Sequence, residues 1–439
     1  MPIKFIRVSL AWLVLTVLLI SVQVQAGPKI ESWQTSNGAR VLFVESPELP
    51  MLDLRIVFDA GSARDGELPG LGSMVNGLLV DGAGDWDADQ IAMRFESVGA
   101  EQGQGSMSDM AWLTLRTLTE KNALKTSLET LSVILSRPNF EADDIERNRQ
   151  LMLAGLKQEA QSPQSVVKKA FYSKLFASHP YAIHAGGTEE SLNAIDRAAI
   201  QAHYKRYYVA SNAVIALVGQ IDRKQAEQIA EHLTSQMETG KPAEPLPEVK
   251  PLQQVDKSHI SFPSSQSHIL IGQPGMYRGD PDYFTLYVGN HILGGSGLVS
   301  RMSEEVREKR GLSYSVYSYF SPMRRQGPFL MSVQTKNVQA DEATSVMMDT
   351  LLEFIHKGPT EQELKEAKQN ITGGYPIRIA GNKNIVEYLG MIGFYNLPLT
   401  YLDDFVGKIN GVTLEAINDA FKRRLDPEKM IWVTVGDKG

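Results

Sequence analysis

The chain has 439 residues, a formal net charge of −7 at pH 7 and no cysteine. This length is about three times that of a usual single domain and favours two domains or one duplicated unit. The acidic balance argues against nucleic-acid binding, because proteins that bind phosphate backbones need a surplus of basic residues. Without cysteine the chain has no disulfide, thiolate zinc site, iron–sulfur cluster or thiol nucleophile, so any metal would need histidine and carboxylate ligands.

The N-terminus has the pattern of a signal peptide. Lys4 and Arg7 precede an apolar run at residues 8–22, and small residues precede a cleavage site after Ala26. The run is shorter than the roughly 20 residues that a membrane span needs, which favours cleavage over a permanent anchor. We therefore expect residues 1–26 to be removed and the product to be exported, in a bacterium to the periplasm. Anchoring by an uncleaved N-terminal segment is the alternative.

A proline-rich stretch divides the remaining chain into two similar halves. Four prolines lie in the polar segment 238–254, a composition typical of an extended, semi-rigid linker. Corresponding markers on its two sides are 212 to 219 residues apart, which implies duplication: Gly99 and Gly311, Ile145 and Leu364, Gly219 and Gly436. We expect an α+β fold with homologous half-domains at 27–237 and 255–439, each a mainly antiparallel sheet with helices packed on one face.

One helix in each half can be predicted in more detail. The helix that ends at Gly99 begins with a capping box formed by Asp87 and Gln90. The corresponding helix before Gly311 carries an apolar stripe made of Leu298, Met302 and Val306. These patterns predict that each helix buries one face against its sheet.

Motifs for self-contained catalysis are absent from the sequence. There is no Gly-x-Ser-x-Gly elbow and no phosphate loop, and Ser165 and Lys168 match Ser-x-x-Lys without its accompanying elements. The eight histidines include no His-x-x-x-His or His-x-x-Glu-His spacing. His179 and His184 lie five residues apart in a proline-containing loop, which is more typical of a structured loop than of a ligand pair. We expect no metal and no cofactor in this chain.

An ordered set of short segments resembles the insulinase/pitrilysin zinc peptidases, the family that includes the mitochondrial processing peptidase. The segments are Asp-Ala-Gly-Ser-Ala-Arg at 59–64, Leu-Pro-Gly-Leu-Gly at 68–72, His-Pro-Tyr at 179–181, Gly-Thr-Glu at 187–189, Tyr-Tyr-Val-Ala-Ser-Asn at 207–212 and Phe-Tyr-Asn-Leu-Pro at 394–398. The resemblance covers essentially the whole chain after the signal segment, including the duplication and the linker. It implies that the two half-domains form a clamshell.

The zinc motif of that family is missing where the resemblance places it. The stretch should read His-x-x-Glu-His, but Ser73 and Gly77 replace the two histidines and Asn76 replaces the general-base glutamate. The family's third ligand, a glutamate, would fall near Gly155. A site without imidazole or carboxylate can neither hold zinc nor activate water.

The second half retains the family's other active-site pair. Arg307 and Tyr314 have the family's spacing of seven residues, and in the family this pair hydrogen-bonds the substrate carbonyl from the wall opposite the zinc. The resemblance also implies a substrate-binding glycine-rich loop, here formed by Gly294, Gly295, Ser296 and Gly297. Composition alone would make Arg307 a solvated charge and Tyr314 a packed strand aromatic. The matching spacing favours the functional interpretation.

These features imply the non-catalytic subunit of a heterodimeric, exported zinc metallopeptidase. A homologous partner with an intact His-x-x-Glu-His would supply zinc and base. This chain, inactive alone, would close the chamber and present Arg307 and Tyr314 to a peptide or unfolded-protein substrate. The alternative is a pseudo-peptidase that acts only as a peptide-binding or assembly scaffold.

Overall fold

The computed structural model describes residues 27–437, so the predicted signal peptide at 1–26 lies outside the described residues. Within 27–437, no helix combines the length and the apolar character needed to cross a membrane. Two mixed α/β halves follow each other along the chain, and each is built around its own sheet.

The first half contains a six-stranded sheet and a short hairpin. Its strands are β1 (Glu31–Gln34), β2 (Arg40–Glu45), β3 (Met51–Phe58), the hairpin strands β4 (Gly82–Ala83) and β5 (Trp86–Asp87), β6 (Glu101–Ser106), β7 (Ala111–Leu118) and β8 (Ala213–Gly219). The order in the sheet is β1-β2-β8-β3-β7-β6, and only β2 and β8 pair in parallel. Strand β8 is buried along its whole length, which explains why its sequence is continuously apolar.

Between residues 27 and 237, the first half has eight α-helices. They are α1 (Leu71–Leu78), α2 (Ala88–Glu96), α3 (Lys121–Ser136), α4 (Ala142–Ala160), α5 (Pro163–Phe176), α6 (Glu189–Ala194), α7 (Arg197–Tyr207) and α8 (Arg223–Thr234). The predicted capping box at the start of α2 is confirmed: the Gln90 amide donates to Asp87 Oδ1 at 2.8 Å, and the Asp87 amide donates to Gln90 Oε1 at 3.1 Å.

The second half contains a five-stranded sheet. Its strands are β9 (Asp256–Ser261), β10 (Gln266–Pro274), β11 (Ser315–Phe320), β12 (Pro328–Lys336) and β13 (Ile431–Gly436), in the order β11-β12-β10-β13-β9. Its helices are α9 (Tyr283–Asn290), α10 (Ala340–Lys357), α11 (Glu361–Arg378), α12 (Asn382–Phe394), α13 (Tyr401–Asn410) and α14 (Leu414–Arg424), with π-helical turns at His291–Gly295 and Ser303–Glu308.

The two sheets repeat one topology. Strands β6-β7-β3-β8-β2 of the first half correspond in order to β11-β12-β10-β13-β9 of the second. In both sheets the first three pairings are antiparallel and the last, β8 with β2 or β13 with β9, is parallel. The predicted α+β fold with two homologous, mainly antiparallel halves is confirmed.

Each half also covers the other half's sheet, which the sequence analysis did not predict. Helix α12 of the second half packs on β3 and β8 of the first sheet, while α5 of the first half packs on β10 and β13 of the second. The opposite face of each sheet is covered by helices of its own half. Both sheets are therefore buried on two sides.

The segment between Thr234 and Asp256, where the linker is predicted, contains no helix or strand. It nevertheless lies against the second half, because Leu246 and Val249 are buried in the cluster around α5 and β13. The Arg325 Nε donates to the Leu246 carbonyl at 2.7 Å. These contacts hold the segment on the surface of the folded halves.

The predicted apolar stripe before Gly311 is wrong at one position. Met302 and Val306 are fully buried, but Leu298 is 63% exposed. The chain forms a 3-10 turn at Gly297–Val299 followed by a π-helical turn, so it lacks the regular helix that the stripe assumed. Leu298 is therefore not on the same helix as Met302 and Val306, and its side chain faces solvent.

Candidate functional site

The helix that carries the degenerate zinc motif, α1, is anchored at its N-terminus by a buried carboxyl group. Gly70 precedes the helix with a φ of 95°, a conformation that favours glycine. Asp65 accepts hydrogen bonds from the backbone amides of Gly70 at 2.7 Å and Gly72 at 2.8 Å. Burial raises the pKa of Asp65 to about 7, although these two hydrogen bonds act in the opposite direction.

The residue in the position of the general base is a structural amide. Asn76 is 2% exposed, and its Nδ2 lies 3.3 Å from the Tyr208 hydroxyl and 3.4 Å from the Trp112 carbonyl oxygen. Both contacts use the amide as a donor, whereas a general base must accept a proton. Ser73 lies half-buried on the same helix.

The remaining two positions offer no ligand atom. A Cβ at Gly77 would lie 2.9 Å from Nδ2 of Asn148 on α4, so Asn148 occupies the space beside this glycine. Gly155 lies farther along α4, where an added Cβ would meet no atom within 4 Å. Within residues 27–437, no group of three or more histidine, aspartate or glutamate side chains could hold a metal ion. The residues at 73, 76, 77 and 155 do not fit zinc.

The structure brings Arg307 and Tyr314 together in the second half. The guanidinium carbon of Arg307 lies 5.7 Å from the centroid of the Tyr314 ring, within the range of a cation–π contact. Tyr314 is 90% exposed just before β11 and is therefore not the packed strand aromatic that composition alone would suggest. Arg307 is partly exposed and also approaches Glu308 at 3.4 Å. Both side chains are accessible from solvent.

The predicted glycine-rich loop begins at the end of the first π-helical turn, which contains Gly294 and Gly295, and continues through Ser296 to Gly297 at the start of the 3-10 turn. A Cβ at Gly294 would lie 2.3 Å from Ser318 Oγ, so this glycine allows the loop to approach strand β11. A Cβ at Gly295 would likewise lie 2.8 Å from Asn290 Nδ2, so this glycine allows the chain to approach Asn290. Gly297 has a φ of 66° and open space around it, and Ser296 is partly exposed. Of the four residues Gly294 alone is buried, and a side chain at Gly294 or Gly295 would clash with its neighbours, whereas the space around Gly297 is open.

Two family models match consecutive parts of the chain. Residues 40–189 match the insulinase (peptidase family M16) model, and residues 194–371 match the peptidase M16 inactive domain. A crystal structure from Pseudomonas fluorescens, described as a peptidase M16 inactive domain, has 38% sequence identity and a TM-score of 0.90, covering 93% of this chain and 98% of that chain. The chain belongs to the insulinase (peptidase M16) family. The predicted resemblance is confirmed.

Two bacterial relatives match over nearly their full lengths. A Helicobacter pylori protein named non-peptidase homolog YmxG is 26% identical over 414 residues, covering 92% of this chain and 94% of the relative. A Bacillus subtilis protein named uncharacterized zinc protease YmxG is 23% identical over 390 residues, covering 89% and 94%. With Ser73, Asn76 and Gly77 in place of the zinc motif, this chain is an inactive M16-family homologue.

A second cluster in this M16 homologue was missed by the sequence analysis. Asp109 is buried and accepts hydrogen bonds from the hydroxyls of Tyr181 at 2.5 Å and Tyr395 at 3.0 Å, and from the backbone amide of Arg324 at 2.7 Å. Burial raises the pKa of Asp109, and the three hydrogen bonds oppose this effect. The cluster joins the two halves.

Part of this cluster had a signal in the sequence. Tyr181 and Tyr395 both lie in segments that carry the family resemblance, His-Pro-Tyr at 179–181 and Phe-Tyr-Asn-Leu-Pro at 394–398. Asp109 lies in the turn between β6 and β7 and belongs to no motif. A cavity of about 990 Å³ opens beside the cluster, between α5 and α12.

Proposed function

We propose that this M16 homologue is the non-catalytic subunit of a heterodimeric zinc metallopeptidase. A homologous partner with an intact His-x-x-Glu-His would supply zinc and the general base. This chain would close the chamber and present Arg307 and Tyr314 to the carbonyl oxygen of a peptide or unfolded protein. A guanidinium and a phenol directed at that oxygen would stabilise the negative charge that develops in the transition state.

The observation that carries the proposal is the exposed contact between Arg307 and Tyr314. An arginine within cation–π distance of a tyrosine that is 90% exposed leaves donors of both side chains available to another molecule. A residue retained only for folding would be expected to bury more of its ring, because buried apolar area is what stabilises a fold.

Neighbouring apolar side chains support a partner on the same side of the molecule. Leu298 is 63% exposed and Val299 is 81% exposed, in a turn that packs against the π-helical turn carrying Arg307. Exposed apolar residues that cluster are typical of protein-interaction surfaces. The outward-facing part of the predicted substrate loop, Ser296 and Gly297, belongs to the same stretch.

The experiment is a reconstitution with a catalytic M16 subunit from the same organism. Tyr314→Phe removes one hydroxyl and keeps the ring, and Arg307→Lys keeps the charge but loses the planar guanidinium fork. Each variant should lower turnover of a fluorogenic peptide on the order of a hundredfold, about 3 kcal/mol, while the heterodimer still forms in size-exclusion chromatography. Arg310→Lys is the matched control, because Arg310 lies on the same segment and is engaged by Glu305.

The scaffold function is the second candidate, and the name of the Helicobacter pylori relative, non-peptidase homolog, favours it. The same experiment separates the two functions. Wild-type turnover from Tyr314→Phe and Arg307→Lys in intact complexes would leave only the scaffold function. Peptide cleavage by the isolated chain that a chelator abolishes would contradict both.

We also propose that the protein is exported after removal of residues 1–26. The charge and apolar pattern of that segment support cleavage after Ala26. Mass spectrometry of the N-terminus should identify Gly27 in material from the soluble periplasmic fraction. A retained N-terminus in the membrane fraction would instead support the anchored alternative.

A further inference from the structure

The cavity between the two halves has walls from both. Its volume is about 990 Å³, at the upper end of the range for ligand sites, roughly 300–1,000 Å³. Helix α5 provides Lys168 and Lys169, and helix α12 provides Glu387 and Met391. Neither the zinc-motif positions nor the Arg307–Tyr314 pair line it, so it is distinct from the site proposed above.

Among the charged side chains of the lining, the cations outnumber the carboxylates. Five cations face the cavity, and none of them forms an ion pair within residues 27–437: Arg55, Lys168, Lys169, Arg278 and Arg378. Their hydrogen bonds to side chains go to neutral groups, from Arg378 Nη1 to the Tyr287 hydroxyl at 2.6 Å and from Arg278 Nη1 to the Tyr283 hydroxyl at 3.4 Å. Such an excess is unexpected in a chain with a net charge of −7.

The carboxylates of the lining do not neutralise these cations. Asp109 is engaged by Tyr181, Tyr395 and the Arg324 amide, and Glu159 lies 3.3 Å from His184 Nε2. Of the lining carboxylates, Glu387 faces the cations, and its charge acts on Arg55 from beyond ion-pair distance. The cavity therefore keeps a surplus of positive charge.

Burial makes part of this charge costly. Burial lowers the pKa of Arg55, whose guanidinium carbon lies 4.4 Å from the centroid of the Trp112 ring. The Nε of Arg278 is buried without a hydrogen-bond partner in the described part of the chain. Buried donors and cations without partners destabilise a folded protein, and an anionic ligand would satisfy them.

The apolar part of the lining indicates what else the ligand carries. Four methionines line the cavity, Met107, Met110, Met323 and Met391, together with the ring of Tyr388. Methionine side chains are flexible and polarizable and adapt to apolar groups of different shapes. A small inorganic anion would leave most of this surface and most of the volume unused.

We propose that the cavity between α5 and α12 binds an acidic peptide segment, with carboxylates at the lysines and arginines and apolar side chains against the methionines. A peptide of a few residues fits the volume, and alternating carboxylate and apolar side chains match the mixed lining. The site is independent of the Arg307–Tyr314 pair.

Fluorescence anisotropy on the purified full chain tests the proposal with three labelled hexapeptides. One alternates glutamate with leucine, the second has lysine in place of each glutamate, and the third is hexaglutamate. The first should bind at least about tenfold more tightly than the other two. Equal binding of the lysine peptide would overturn the charge assignment, and equal binding of hexaglutamate would overturn the role of the apolar lining.

Variants then locate the binding site. Lys168→Gln with Lys169→Gln should weaken binding of the glutamate–leucine peptide about tenfold, and both lysines are exposed, so the fold should tolerate the change. The matched control is Lys205→Gln with Lys224→Gln, at two exposed lysines on α7 and α8. It removes the same charge and should leave peptide binding unchanged. Equal weakening by both pairs would mean binding to overall charge and would overturn the site.

Glu387→Gln provides a change in the opposite direction. It removes the carboxylate that competes for the cavity's cations, and Glu387 is exposed on α12. Binding of the glutamate–leucine peptide should tighten several-fold. A variant that merely disturbed the fold would not bind more tightly, so unchanged or weaker binding would contradict the proposal.

Discussion

At the scale of single residues, helix α1, which lies at the position of the family's zinc motif, is part of the first half's packing. Asn76 contacts Tyr208, which is fully buried and stacks against Tyr204 with ring centroids 5.6 Å apart. Asn148 fills the space beside Gly77. These contacts connect α1 with α4 and with Tyr208 at the end of α7, so the position of α1 is supported without metal ligands.

Replacing Asn76 with alanine should destabilise the fold. The change removes the Asn76 contacts with the buried Tyr208 hydroxyl and with the Trp112 carbonyl, which should lower the free energy of unfolding by about 1–2 kcal/mol. Urea denaturation measures the loss. Ser73→Ala is the control on the same helix and should change stability by less than about 0.5 kcal/mol; an equal loss in both variants would contradict the structural role of Asn76.

Asp65 should make stability depend on pH. Its pKa is raised to about 7 in the folded chain, above an unfolded value of about 3.9. Folding therefore binds a proton between these values, and the contribution to stability, at most about 4 kcal/mol, is complete below pH ~4 and is lost as pH rises through ~7.

Thermal unfolding between pH 4.5 and 8 tests whether stability falls as pH rises. Asp65→Asn cannot titrate, so its Tm should fall less over this range than that of the wild type. The exposed Glu67→Gln, two residues away, should retain the wild-type slope. Parallel pH profiles for Asp65→Asn and the wild type would show that Asp65 stays ionised in the folded chain.

At the scale of elements, the exchanged helices decide which faces are buried. Helix α12 can lie close to the first sheet because Gly393 has no side chain: a Cβ there would lie 2.4 Å from Val214 Cγ1. On the other sheet, Gly272 of β10 similarly allows α5 to approach, because a Cβ there would lie 2.9 Å from Cζ of Phe171 on α5. Each exchanged helix thus packs at a glycine.

Truncating a buried side chain of α12 should weaken the first half as well as the second. Leu389 is fully buried against the first sheet, so Leu389→Ala should cost about 2–5 kcal/mol by leaving a cavity. Hydrogen exchange of the β3 and β8 amides reports the effect on the first sheet. Lys383→Ala at the exposed start of α12 is the control, and unchanged β3 and β8 protection in Leu389→Ala would contradict the cross-half packing.

At the scale of the whole molecule, the two halves are packed together by exchanged helices and shared hydrogen bonds, which predicts that they fold as one cooperative unit. Each sheet needs a helix from the other half, and Asp109 of the first half is bonded to Tyr395 and Arg324 of the second. Without α12 the first sheet would expose a set of apolar side chains: Leu42, Val44, Val57, Val214, Ala216 and Val218. Apolar patches of this kind promote aggregation.

Residues 27–254 expressed alone should therefore fail to give a soluble, cooperatively folding monomer. Co-expression with residues 255–439 should restore solubility, because the second fragment supplies α12. Size-exclusion chromatography and calorimetry of the two preparations provide the comparison. A monomeric first fragment with a sharp unfolding transition would show that its sheet does not depend on the exchanged helix.

Features encoded in local sequence could be predicted without the structure. Duplication, the capping box at Asp87 and the loss of the zinc ligands depend on residue identity and spacing, and ligand chemistry follows directly from which side chains are present. The family resemblance likewise implied that Arg307 and Tyr314 act at one place, and the structure puts the guanidinium carbon of Arg307 5.7 Å from the Tyr314 ring centroid. Their role in catalysis stays a prediction.

Only the tertiary structure decided which distant residues meet. Asp109 lies 286 residues before Tyr395, and no periodic pattern relates two positions so far apart. The same holds for the exchange of α5 and α12 and for the cations of the shared cavity, because an apolar or charged helix face does not specify which half it will cover. Leu298 was misplaced because it lies in a separate 3-10 turn, Gly297–Val299, and an extended residue, Ser300, separates this turn from the helical segment that carries Met302 and Val306. Local periodicity determines elements, whereas packing between elements determines sites.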